Sequence, residues 1–139
     1  MNPPDPTQST WRILIVEDEP LISGTVARAL KSLGHTVFIA EDGTTALHMV
    51  HVDSPDAILL DVNMPGRDGF EVLKILREDP ATCDIAVLMV TAQRSEGYIV
   101  AGLRDADDYV CKPFGMGELV ARLNAVMRRV GSHSRARYA

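Results

Sequence analysis

Apolar residues along this chain fall into short runs that alternate with stretches of helical period. Ile13, Leu14, Ile15 and Val16 form a run that stops at Glu17, Asp18, Glu19 and Pro20, the pattern of a buried strand with a charged end. From Leu21 the period becomes helical: Ile22, Val26, Ala29, Leu30 and Leu33 share one face, and Gly34 supplies a C-terminal stop. The alternation continues with a strand over 35–40, a helix over 44–51, a strand over 57–61, a helix over 69–78 and a strand over 85–91. A weaker helix is predicted over 95–104, where Gly97 and Gly102 each cost about 1 kcal/mol of helix stability relative to Ala. A fifth strand over 108–111 precedes a last helix over 116–130, with Leu119, Val120, Leu123, Val126, Met127 and Val130 on its inner stripe. Short apolar strands separated by amphipathic helices predict an α/β fold, a five-stranded parallel sheet with helices on both faces, because parallel neighbours need crossover connections.

Composition narrows the class. With 139 residues and 46% hydrophobic content, the chain can bury a core without staples and reads as one domain. The polar, proline-rich residues 1–10 read as a disordered leader, residues 11–130 as the folded domain, and 131–139 as a basic flexible tail or the start of a linker. A formal charge of -5 argues against nucleic-acid binding by the body of the domain and favours proteins or cations as partners. No apolar run approaches membrane-spanning length, and residues 1–10 lack the pattern of a secretion signal, so a cytoplasmic location with no membrane association is expected. Cys83 and Cys111, far apart and without metal-ligand spacing, read as reduced thiols.

The candidate chemistry lies at the strand ends. Glu17 and Asp18 follow the first strand, Asp61 ends the third, Thr91 ends the fourth, and Lys112 closes the fifth. In an open parallel sheet the carboxyl ends share one edge, where ligands bind at the switch point of strand order. One acid at a strand end is explained by a helix cap or a solvated turn, but three gathered together repel by roughly 4 kcal/mol per pair at 4 Å and an effective dielectric near 20. Something positive belongs among them, and the candidates are Lys112 and a hard divalent cation such as Mg²⁺. A carboxylate beside such charges and a hydroxyl is equipped to attack a phosphoryl group, with Asp61 supplying the oxygen and an acyl phosphate as product.

The segments "ILIVEDEP", "DAILLDVNMPGRDGFEVLKILR", "VLMVTA" and "DDYVCKPF", in this order, resemble the receiver domain of two-component response regulators over residues 11–129. The resemblance implies a doubly wound, flavodoxin-like sheet of order 2-1-3-4-5. It implies a phosphorylation-switched signalling domain rather than an enzyme with a separate substrate, capable of Mg²⁺-dependent self-phosphorylation and autodephosphorylation. Asp61 would accept a phosphoryl group from a histidine kinase or a phosphotransfer protein. Asp18 and Asp61 would ligate Mg²⁺ directly, Glu17 through water, and Asn63 through its backbone carbonyl. Thr91 and Lys112 would bind phosphoryl oxygens, Tyr109 would change rotamer on phosphorylation, and Pro113 would follow a cis peptide. An output domain or target protein would read the switch, and a homodimer through the fourth helix and fifth strand is a candidate assembly.

The chain departs from the family at one junction. Family members commonly carry Ala-Gly before the Ala-Asp-Asp-Tyr that opens the last strand, where this chain has Asp105 alone. The shorter junction lacks a helix-ending glycine and bears on the usual dimerisation contacts more than on the chemistry. The alternative functions fit less well. A haloacid-dehalogenase-like phosphatase wants a second acid at the position of Asn63, a flavin module would meet repulsion from "VEDEP", and a degenerate receiver that only binds proteins would not need Asp61, Thr91 and Lys112 together.

Overall fold

The computed structural model describes residues 10–92 and 105–138. Among the described residues nine elements follow in the order β1 (Arg12–Val16), α1 (Pro20–Ser32), β2 (Thr36–Ala40), α2 (Gly43–Asp53), β3 (Ala57–Asp61), α3 (Gly69–Glu78), β4 (Ala86–Thr91), β5 (Asp108–Cys111) and α4 (Met116–Tyr138). The strands form one sheet in the order β2-β1-β3-β4-β5, with every pairing parallel. The predicted class and strand order are both found. The predicted helix over 95–104 lies outside the described residues.

Burial explains why the interior strands read as continuous apolar runs. Every residue of β3 and β4 is buried, as are four of the five in β1, because helices cover both faces. Successive side chains alternate between two cores. Ile13, Ile15, Leu59, Leu88 and Val110 pack with Val26 and Leu30 of α1 and with Leu119, Leu123 and Val126 of α4. Leu14, Val16, Ile58, Leu60 and Met89 pack on the other side with Val50 of α2 and Val72, Leu73 and Leu76 of α3.

Helix ends follow from local chemistry. Pro20 occupies the start of α1, where a missing N–H costs nothing. At the other end Leu33 is the C-cap, Gly34 adopts φ 97°, its N–H donates to the Lys31 carbonyl at 2.9 Å, and the His35 N–H donates to the Leu30 carbonyl at 3.2 Å. This Schellman pair satisfies two carbonyls the helix leaves open. Asp42 and Asp68 cap α2 and α3 by accepting the N–H groups of Thr45 at 2.7 Å and Glu71 at 2.9 Å.

Two expectations are corrected in detail. The buried stripe of α1 is Ser23, Val26, Ala27 and Leu30, with Ala29 half-buried and Leu33 exposed. Leu33 stands past the last helical turn, where the stripe no longer faces the sheet. The last helix runs through the segment read as a flexible tail, to Tyr138. Residues 131–138 contain no proline, and once a helix is nucleated each added residue gains a hydrogen bond.

Two αL positions yield opposite predictions. Gly34→Ala puts a Cβ into a left-handed conformation and 3.2 Å from Thr10 Cγ2, so it should destabilise by about 1–2 kcal/mol. Ser54, the C-cap of α2 at φ 47°, is a non-glycine residue in that region, so Ser54→Gly should stabilise by up to about 1 kcal/mol. Urea denaturation of the two variants beside the parent checks both signs.

Candidate functional site

The parallel sheet brings the five strand-end residues to one edge. β1 lies between β2 and β3, and the chain order reverses there. Asp61 ends β3, Glu17 and Asp18 follow β1, Thr91 ends β4, and Lys112 follows β5. Glu17, Asp61 and Thr91 are buried, whereas Asp18 is exposed. Carboxylate oxygens of Glu17, Asp18 and Asp61 all come within 4.8 Å of one another.

Lys112 enters this cluster as its ammonium. Its Nζ lies 2.8 Å from Glu17 Oε1 and 3.1 Å from Asp61 Oδ2. Its backbone N–H donates to the Thr91 carbonyl at 2.8 Å, which ties the lysine to the end of β4. The Lys112–Pro113 peptide is cis. Burial alone lowers the Lys112 pKa, but the hydrogen bonds and charges of Glu17 and Asp61 outweigh it and hold the ammonium above its ordinary value.

The backbone fixes the acids. Asp61 Oδ1 accepts the Asn63 N–H at 3.1 Å, and Glu17 Oε2 accepts the Glu19 N–H at 3.2 Å. Asp61 therefore has one oxygen on an amide and the other on an ammonium. The loop from β3 to α3 closes on itself: the Gly69 N–H donates to the Val62 carbonyl at 2.9 Å. A Cβ at Gly69 would collide with the Asp61 carbonyl oxygen and stand 2.8 Å from Val62 Cα. Gly69 thus lets α3 begin directly against the strand end that carries Asp61, a role absent from the sequence reading. Its only sequence signal was a glycine directly after a helix-capping aspartate.

The remaining expected residues sit around this centre. Asn63 is exposed beside Asp61, and Asp18 opens onto a polar cleft shared with Asp42, Gly66 and Arg67. Tyr109 is half-buried on β5 and meets Arg122, whose guanidinium carbon is 5.9 Å from the ring centroid, rather than the carboxylates. Three carboxylates, one of them solvent-facing, form an oxygen-only donor set suited to a hard divalent cation that keeps some of its waters. Among the described residues this is the one group of three or more potential metal ligands.

Known proteins resemble this chain in sequence and in fold. The family model of the response regulator receiver domain matches residues 13–124. Response regulator MprA of Mycobacterium ulcerans (strain Agy99) is 45% identical over 119 residues, covering 85% of this chain and 50% of that protein. The protein of the same name from Mycobacterium tuberculosis (strain ATCC 25177 / H37Ra) is 44% identical over 119 residues, covering 85% and 51%. The chain therefore spans about half the length of these relatives. Among solved structures, the Francisella response regulator 1452 receiver domain matches with a TM-score of 0.79 and 31% identity, over 86% of this chain and 98% of that one. A Chloroflexus aurantiacus J-10-fl protein described as a response regulator matches with a TM-score of 0.81 and 34% identity, over 86% and 99%.

Two electrostatic predictions follow from the geometry. Lys112 bridges Glu17 and Asp61 but not Asp18, so Asp18→Asn should raise the metal-free melting temperature while reducing the stabilisation that added Mg²⁺ provides. A lower metal-free melting temperature would instead show a structural role for the Asp18 carboxylate. The raised Lys112 pKa sets a sign at alkaline pH. Its contribution to stability is complete below the ordinary value of 10.5 and is lost as pH rises through the higher folded value. Lys112→Met should therefore show a smaller alkaline loss of stability than the parent, measured by denaturation of both across that range.

Proposed function

The chain belongs to the response regulator receiver domain family of two-component systems, and from that premise we propose that it is a phosphoacceptor whose reacting group is Asp61. The observation that carries this reading is the Lys112 ammonium between Glu17 and Asp61, with Asp18 completing a carboxylate set within 4.8 Å. A nucleophilic carboxylate next to a fixed cation and a further cation site is what an incoming phosphoryl group requires.

Asp18 and Asp61 would hold Mg²⁺ directly, Glu17 through water, and Asn63 through its carbonyl; the ion would supply positive charge against the phosphoryl oxygens. Asp61 attacks phosphorus, the bond from phosphorus to the donor breaks, and an acyl phosphate forms on the carboxylate. Lys112 then exchanges its contact with Asp61 for one with a phosphoryl oxygen while keeping Glu17. The Thr91 hydroxyl binds a second phosphoryl oxygen from the end of β4. Tyr109, on the strand that ends at Lys112, is the aromatic whose rotamer would register the change. Hydrolysis of the acyl phosphate by the domain itself resets the state, so the activity is a self-modification and its reversal.

The donor in this reading is a histidine kinase or phosphotransfer protein in the cytoplasm, and an output domain or target protein reads the result. Leu21, 86% exposed, together with Ile22, Pro113 and Phe114, lines an apolar groove that reaches Lys112, a surface on which a donor protein can seat. Self-association through the helix expected over 95–104 and β5 belongs to the same reading, with that helix outside the described residues.

Incubation with acetyl phosphate and Mg²⁺ should add one phosphoryl mass, mapping to the peptide that holds Asp61, and Asp61→Asn should abolish it. Full labelling of the variant, or labelling that maps elsewhere, overturns the assignment.

A further inference from the structure

Two consecutive acids, Asp107 and Asp108, enter β5 at the end of the sheet opposite the phosphoacceptor edge, and the site has no use for either. Each meets an arginine from a different helix. Arg77, in the last turn of α3, places Nη2 3.2 Å from Asp107 Oδ2. Its remaining donors go to backbone: Nε to the Asp105 carbonyl at 2.7 Å, and Nη1 to the carbonyls of Cys83 at 3.0 Å and Ile85 at 2.7 Å. From the other face of the sheet, Arg122 of α4 places Nη1 3.2 Å and 3.4 Å from the two Asp108 oxygens. Arg129 of α4 donates to the Asp107 carbonyl at 3.1 Å.

The carboxylates are also part of the strand. The Asp107 N–H donates to the Val87 carbonyl at 2.9 Å, and Asp107 Oδ2 accepts the Val87 N–H at 2.8 Å, so the side chain extends the ladder one step beyond β5. Asp108 Oδ1 accepts the Tyr109 N–H at 2.8 Å. β5 needs such anchoring, because it is a four-residue edge strand hydrogen-bonded to β4 alone. Parallel pairing of that length is weak by itself. Lys112 stands about 16 Å further along, at about 3.3 Å per residue, and an edge strand that frays or slides at its entry moves the residues at its exit.

We propose that Arg77 with Asp107, and Arg122 with Asp108, form a two-sided clamp that fixes β5 and thereby positions Lys112 at the phosphoacceptor edge. Arg77 and Arg122 are then positioning residues, acting through β5 without touching the reacting groups. This rests on the Asp61 reading for its functional readout. α3 is joined to both ends of the arrangement: its first residue packs on the Asp61 carbonyl, and its last turn holds the entry to β5.

The test compares Arg77→Met, Arg122→Met and Asp107→Asn with the parent at matched folded fraction. Asp107→Asn keeps an acceptor for the Val87 N–H while removing the charge that Arg77 faces. The cation-site acids follow β1 and end β3, not β5, and a displaced Lys112 leaves their charge less offset, so Mg²⁺ affinity by titration calorimetry should hold or rise, whereas the rate of phosphorylation by acetyl phosphate should fall about three- to tenfold. Adding Arg77→Met to Asp107→Asn should cost little more than either alone. Rates equal to the parent, or Mg²⁺ affinity falling in parallel with rate, would overturn the clamp. Should Arg77→Met fail to fold, since it also strands the Cys83 and Ile85 carbonyls, the same comparison is read on Arg122→Met. Should the parent itself not accept a phosphoryl group, the Asp61 reading fails, and hydrogen exchange of Val110 and Cys111 tests the clamp alone: faster exchange in the variants supports it, and unchanged exchange overturns it.

Discussion

One ammonium set among three carboxylates is the constraint on which the rest of this structure depends. Lys112 pairs with both Glu17 and Asp61, at 2.8 and 3.1 Å, but its single charge offsets only one of them, and Asp18 remains beside them without that contact. Such a cluster is unfavourable by itself, because buried like charges raise the free energy of the folded state. It persists because each member is delivered by an element whose position is fixed elsewhere: β1 and β3 by two apolar cores, β5 by its pairing with β4 and by arginines from both faces. The scaffold supplies the stability that the site withholds.

The division of labour between the two ends of the sheet follows from parallel topology. All strands finish at the same edge, so residues that need to meet a ligand collect there, and residues at the opposite edge are free to anchor. Asp61 and Asp107 illustrate the contrast. Both are aspartates beside one basic side chain and a backbone N–H, yet the first is 3% exposed with further carboxylates for neighbours, while the second is part of the strand ladder. A shared residue type and similar hydrogen bonding thus build a carboxylate cluster at one edge and a strand anchor at the other, and the neighbouring charges make the difference.

Much of this was legible from the chain. Runs such as Ala57–Asp61 and Ala86–Thr91 announced themselves because burial on both faces leaves no room for polar residues before the strand end. The convergence of Glu17, Asp18, Asp61 and Lys112 needed only the rule that parallel strands finish together. What was hidden depends on pairs distant in sequence or on close approach. Arg77 meets Asp107 across 30 positions, so Asp107 and Asp108 read merely as acids before a tyrosine. Gly69 read as an ordinary helix start, because the lack of room for a Cβ beside the Asp61 backbone leaves no periodic signal. The extension of α4 past Gly131 was hidden because a lone glycine weakens a helix without ending it.

Edge strand β5 has to meet two opposing demands. It must hold Lys112 at the carboxylate cluster, yet among the described residues it has one neighbour in the sheet, so it is open to pairing with other chains. Shortness and charge meet both demands together. Four residues give little template for a foreign strand, and Asp107 and Asp108 at its entry place acids where an incoming edge would approach. Those acids would repel one another in a bare strand, and their arginine partners on opposite faces offset that repulsion while leaving the edge polar. Strengthening β5 with apolar residues at its entry would remove this protection, so the clamp is built from charges because a half-buried edge strand that must be precisely placed cannot be held by hydrophobic burial alone.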